Sequence, residues 1–192
     1  QGALGPSSDR LVPNGKNERT WRLPMSSAAA ASPFKIKKPV PLVGSCQCGK
    51  IRYQVTGDPL VAIACHCNDC RKLSGSAFST VLVVKAEDLT VEGTLKLWER
   101  ATDTGRRSHA YFCPDCGNRI YHQDPDKPHI IRIRSGSLDQ PEIPEPLIHV
   151  FAERTQSWLR FAEGAIKYDR QPLDAEELYE AMTDIAEEAQ KY

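Results

Sequence analysis

Seven cysteines fall in three tight groups along this chain of 192 residues, and their grouping limits what it can fold into. The groups are Cys46-Gln47-Cys48, Cys65-His66-Cys67-Asn68-Asp69-Cys70 and Cys113-Pro114-Asp115-Cys116. An odd number excludes a complete disulfide framework. Close spacing suits a metal ion instead, because several thiolates must converge on it at ~2.3 Å. A chain of this length can also bury most of its unfolded surface without covalent help. No secretory signal is evident, since Ser26-Ser27-Ala28-Ala29-Ala30-Ala31-Ser32 is too short and weakly apolar. A reducing, cytoplasmic compartment is therefore the expectation.

Charge and hydropathy exclude other classes. Lys and Arg number 25 and Asp and Glu 25, so the formal net charge is zero and nucleic acid is not an expected partner. No uninterrupted apolar run approaches the ~20 residues of a membrane span.

The chain reads as three parts. Residues 1–44 hold six of the fourteen prolines and two acids against seven bases, a composition that cannot build a core. Residues 1–40 are thus expected to be a tail, flexible or partly vector-derived. The start at Gln1 implies processing or added sequence: Met25 can be the natural start, with 1–24 vector-derived, and a trimmed organelle transit segment is the weaker alternative. Residues 41–172 carry the domain. Ile51-Arg52-Tyr53-Gln54-Val55 alternates, Phe78–Val84 reads as a buried central strand, and Leu89–Trp98 reads as a hairpin. Alternation returns at Ala110–Phe112, Arg119–Tyr121 and Ile130–Ile133, so an all-β domain is expected. Residues 173–192 predict a C-terminal amphipathic helix. Asp174 caps it, and Leu178, Met182, Ile185 and Ala189 form a stripe that packs on the domain or on a second subunit of a homodimer.

A closed structural zinc site takes four ligands, so seven cysteines divide into four and three. Cys113 and Cys116 followed by Gly117 have the form of a zinc knuckle, and Cys46 and Cys48 followed by Gly49 are the natural partner pair. Spacing leaves a second partition open, with Cys70 joining Cys113 and Cys116. Three thiolates with Zn²⁺ leave a coordination position for water or substrate, the arrangement of a catalytic zinc. A thiol bound there would ionise at neutral pH and act as an oriented nucleophile.

These motifs in order resemble the family of glutathione-dependent formaldehyde-activating enzymes, which includes centromere protein V. The matching segments include Gly44-Ser45-Cys46-Gln47-Cys48-Gly49, Cys65–Lys72, Ser74-Gly75-Ser76-Ala77-Phe78 and Phe112–Gly117. Gly136-Ser137-Leu138-Asp139, His149-Val150-Phe151 and Trp158 complete them. The resemblance implies an all-β, Mss4-like (β-tent) zinc domain with two zinc sites. Cys46, Cys48, Cys113 and Cys116 would hold the structural ion, and Cys65, Cys67 and Cys70 the catalytic one. It also implies a carbon–sulfur lyase-type reaction that joins glutathione and formaldehyde, with a thiol adduct as the small-molecule partner.

Blander readings compete. His66 or a more distant His or Asp can complete the triad as a second structural site, although His66 lies awkwardly between two ligands and suits a lining role better. Arg71 and Lys72 can attract a substrate carboxylate or form a solvated pair. Trp98 and Trp158 read as core, Asp124–Pro128 as a turn and nothing more. A non-catalytic zinc module that binds a protein or chromatin partner is the alternative function. A redox role for Cys113 and Cys116 is weak, because no βαβ pattern surrounds them.

Overall fold

The structure, a computed structural model, describes residues 41–102, 105–143 and 145–172. The tail at 1–40 and the helix expected at 173–192 lie outside the described residues. The strands are β1 (Leu42–Ser45), β2 (Arg52–Val55), β3 (Val61–Cys65), β4 (Ser79–Lys85), β5 (Leu89–Glu92) and β6 (Lys96–Ala101). They continue with β7 (Arg107–Phe112), β8 (Arg119–Gln123), β9 (Ile130–Arg134), β10 (Ile148–Val150) and β11 (Ile166–Tyr168). A single short α-helix among the described residues, α1 (Asn68–Ser74), interrupts them between β3 and β4. The class is all-β, as the alternating segments imply. No helix among the described residues is long and apolar enough to cross a membrane.

The strands build two sheets. The smaller has the order β1-β2-β5, and the larger has the order β11-β10-β3-β4-β9-β8-β7-β6. Pairing is antiparallel except where β10 runs parallel to β3 and β11. Strand β2 buries Tyr53 and Val55 and exposes Arg52 and Gln54, which follows from its polar alternation. Strand β4 instead buries Val81, Leu82, Val83 and Val84 in succession, because it lies between β3 and β9 with apolar material on both faces.

Those two faces carry two cores. On one, Leu82, Val84, Ile131 and Ile133 pack with Leu42, Tyr53 and Val55 of the small sheet. On the other, Val61, Ile63, Val81, Val83, Ile148 and Val150 form a second cluster that includes Cys67 and Cys70. Each such aliphatic side chain contributes about 1.5–3 kcal/mol when fully buried.

The hairpin expected over Leu89–Trp98 does not form. Strand β5 pairs with β2 and β6 pairs with β7, so the chain leaves the small sheet for the large one between them. Gly93 makes the passage at φ 95°, and the Lys50 carbonyl occupies the place a Cβ would need. The two tryptophans read as core are also exposed, Trp98 at 47% and Trp158 at 66%. Trp98 lies on the edge strand β6, where its ring carries the Arg119 guanidinium 5.1 Å from the centroid.

Candidate metal centres and active site

The sequence places two cysteine pairs in two matching turns. Cys46 and Cys48 follow β1, and Cys113 and Cys116 join β7 to β8. The Gly49 N–H donates to the Cys46 carbonyl at 2.9 Å, and the Gly117 N–H donates to the Cys113 carbonyl at 2.9 Å. Both glycines are left-handed, at φ 75° and 72°, which lets each backbone curl around its thiols. The two turns meet: the Gln47 N–H donates to Asn118 Oδ1 at 3.2 Å, and Lys50 Nζ reaches Asp115 Oδ1 at 2.7 Å.

This meeting brings all four sulfurs within 4.8 Å of one another, with Cys46–Cys48 at 3.4 Å and Cys48–Cys113 at 3.7 Å. Four sulfurs ~2.3 Å from a tetrahedral ion lie ~3.8 Å apart, so the set fits a metal. Cys46 loses the solvation of its thiolate by burial. The Ile51 N–H and the Cys48 and Cys113 thiols outweigh that loss and lower its pKa to about 6. The Lys50 N–H favours a Cys48 thiolate, but the neighbouring Cys46 and burial push the Cys48 thiol up to about 12. The Asn118 N–H, as the largest cause, lowers Cys116 as well, so Cys46 and Cys116 ionise ahead of Cys48.

The second set is local. Cys65 ends β3, Cys67 caps α1, and Cys70 lies in its first turn. Their sulfurs also lie within 4.8 Å of one another, so Cys70 joins this set and not Cys113 and Cys116. The Cys70 N–H donates to Cys67 Sγ at 3.3 Å. The Cys65 and Cys70 thiols, together with the Cys70 and Asp69 N–H groups, overcome burial and hold the Cys67 thiol down at about 2. The adjacent sulfurs raise Cys65 in turn. Among the described residues no further His, Cys, Asp or Glu ligand atom joins either set. Each set can hold a metal ion.

His66 is engaged elsewhere. Its Nε2 lies 3.0 Å from His149 Nδ1, both residues are buried, and Phe161 packs edge-on to both rings. Burial, then the neighbouring His149, lowers His66 to about 4, so the ring is neutral at physiological pH.

The three-sulfur set opens onto a cavity of about 140 Å³. Its floor is the face of the large sheet opposite the small one. Register puts Val83, Arg132, His122 and Ala110 in one row across β4, β9, β8 and β7, and Arg134 beside Val81. Half of this floor is apolar and half is cationic. Arg134 Nη1 donates to Ser79 Oγ, and Arg100 Nη1 donates to Asp69 Oδ2 at 2.7 Å. Burial, then the surrounding arginines, drives the His122 pKa well below its ordinary value.

Arg71 and Lys72 are not among the residues lining this cavity; Arg100, Arg132 and Arg134 are. The Asp124–Pro128 turn forms, with the Lys127 N–H on the Asp124 carbonyl at 3.0 Å, but it does more than turn, since Asp124 and Lys127 line the cavity wall. The arginines had a signal. In β9, Ile131 and Ile133 face the small-sheet core, so Arg132 and Arg134 face the other way, where a sheet covered on one side would meet solvent.

Residues 41–154 match the family described as glutathione-dependent formaldehyde-activating enzyme, a stretch that contains all seven cysteines. The chain belongs to that family. Within it, the chain is similar to a Halomonas elongata protein named for glutathione-dependent formaldehyde activation. The two are 27% identical over 128 residues, which cover 62% of this chain and 79% of the relative. It also resembles the crystal structure of a Rhodobacter sphaeroides protein, at 25% identity and a TM-score of 0.42, covering 52% of this chain and 90% of the other. For the glutathione-dependent formaldehyde-activating match, the boundary at residue 154 leaves β11 and Trp158 beyond it.

Proposed function

We propose that this protein is a zinc-dependent carbon–sulfur lyase-type enzyme acting on adducts between a glutathione-like thiol and a small carbonyl compound. In this reading Cys46, Cys48, Cys113 and Cys116 hold a structural zinc, and Cys65, Cys67 and Cys70 hold a catalytic one. The observation that carries it is the contrast in surroundings: the three-sulfur set lines a cavity, and none of the four-sulfur set does. Family membership supports the substrate class. Residues 41–172 act as the catalytic domain in this reading, in a reducing cytoplasmic setting.

Zinc, when bound, supplies a Lewis acid that lowers the pKa of a thiol in its remaining position. The chain supplies the rest. The Cys70 and Asp69 N–H groups keep Cys67 ionised as a ligand. Ile63, Val81 and Val83 exclude water beside the sulfurs, which strengthens electrostatic interactions there. Arg100, Arg106 and Arg107 attract the carboxylates of a peptide thiol. In the forward direction the thiolate sulfur attacks the carbonyl carbon, the carbon–oxygen π pair moves to oxygen, and the proton lost by the thiol is regained there. The reverse breaks the same carbon–sulfur bond.

Two measurements on the full chain test the reading. Metal analysis is expected to return two zinc ions per chain. Exchange spectroscopy is expected to show the protein accelerating interconversion of glutathione plus formaldehyde with their adduct. Two zinc ions with no acceleration of any thiol adduct would leave a zinc module in place of an enzyme.

A further inference from the structure

The cations that line the cavity are not equivalent. Arg100 bonds Asp69 and Arg107 pairs with Asp126, whereas the side-chain partner of Arg134 among the described residues is a neutral hydroxyl, Ser79. The placement of Arg134 indicates where an anion belongs. Arg134 Nη1 bonds Ser79 Oγ, and Ser79 is the register partner of Cys65, a triad member. The Arg134 side chain thus lines the same cavity as the triad. Its Nε is buried with no hydrogen-bond partner among the described residues, and so is His122 Nδ1 on the same cavity.

We propose that Arg134, with Arg132 and His122 beside it, forms a subsite for an acidic group carried on the carbonyl-derived half of the adduct. The substrate is then the thiol adduct of an anionic aldehyde, a carboxylate or phosphate lying within a few bonds of the reacting carbon. This inference rests on the lyase reading for the position of the sulfur at the triad. From there the carbonyl carbon would be one bond away, within the cavity wall that Arg134 shares with the triad, whereas the carboxylates of glutathione would lie several bonds further along the peptide. Charge-assisted hydrogen bonds from a guanidinium to an anion are the strong kind, and a partly desolvated arginine beside the reacting atom makes them selective.

Stable thioethers separate this inference from the reaction. Calorimetric titration of the zinc-loaded full chain compares S-methylglutathione, S-carboxymethylglutathione and S-phosphonomethylglutathione. The carboxymethyl or the phosphonomethyl compound is expected to bind about tenfold tighter than the methyl compound, and the tighter of the two names the anion. Arg134→Gln is expected to erase the preference while leaving the methyl compound within about threefold. Arg132→Gln, further from the triad, is expected to reduce it and serves if the first variant fails to fold. Equal binding of all three by the wild type overturns the subsite. So does an Arg134→Gln variant that weakens all three alike, because the arginine then reads the peptide. Turnover of the glutathione adducts of formaldehyde and glyoxylate is followed in parallel. If neither turns over while the binding preference persists, the lyase reading fails and the anion subsite stands.

Discussion

The two cysteine sets use one kind of ligand for opposite ends. The four-sulfur set draws together turns from distant parts of the chain, with Cys48 and Cys113 separated by 65 residues. Cys46 and Cys113 are also members of the core between the two sheets. A metal there closes a long loop, and its binding energy is folding energy. The three-sulfur set is supplied by six consecutive residues at the end of β3 and the start of α1, on a scaffold already fixed by β4 and β10. A metal there closes no loop, so the fold gains little from it. The ligands are then free to serve a cavity. In the proposed reading, sequence separation between ligands, more than their number, distinguishes the ion that would hold the protein together from the ion that would work.

The sharpest way to break this comparison is to remove one ligand from each set. Cys113→Ser is expected to lose its metal and at least about 4 kcal/mol of stability, lowering the thermal midpoint by roughly 10 °C for a chain of this size. Calorimetry with metal analysis checks it. Cys67→Ser is expected to lower turnover at least about 100-fold while changing stability by less than about 1 kcal/mol. Serine keeps the N-cap that Cys67 now provides to α1, which is why the fold tolerates it. Comparable losses of stability in the two variants would mean that the local set is structural too.

Much of this division could be read from the residues. Clustering pointed to convergent thiols and away from disulfides, and the glycines after Cys48 and Cys116 marked curled turns that the structure contains. Strand positions followed from alternation in β2 and β9 and from the unbroken apolar run of β4. Pairing did not. Nothing local in Leu89–Trp98 says that its halves belong to different sheets, because that is settled by distant partners, β2 and β7. The cationic floor was hidden for a related reason. Arg132 and Arg134 alternate with Ile131 and Ile133 as solvent-facing residues do, and only the packing of the second core across β3, β4 and β10 gives that face a cavity. Trp98 and Trp158 misled by size: large apolar side chains usually find cover, yet these lie exposed.

Acid distinguishes the two regions through histidine. His122 lines the cavity, His66 lies within the three-cysteine segment and pairs with His149, and burial is the leading cause that lowers each. Their folded pKa values lie below the ordinary 6.5, so below that pH the unfolded chain binds protons that the folded chain refuses. Their contribution is therefore present above 6.5 and lost as pH falls, for His66 down to about 4. The denaturant midpoint is expected to fall across that window. His122→Leu is expected to flatten the slope by up to one proton, about 1.4 kcal/mol per pH unit at most. An unchanged slope would show that His122 is protonated in the folded state.

The smallest effect is expected where the four-sulfur set looks best supported. Lys50 and Asp115 pair at 2.7 Å across the two cysteine-bearing turns, and the pairing raises the Lys50 pKa. Both side chains are well exposed, at 63% and 47%, so water and salt screen the attraction and ordering the lysine costs entropy. The turns are meanwhile joined by four converging sulfurs and by the Gln47–Asn118 hydrogen bond, neither of which needs the ion pair. Lys50→Ala is expected to leave the thermal midpoint and the zinc content unchanged in moderate salt. A drop of several degrees, recovered by a charge swap of Lys50 and Asp115, would show that the ion pair and not the metal brings the turns together. The long-range set would then lose its claim to be the clamp.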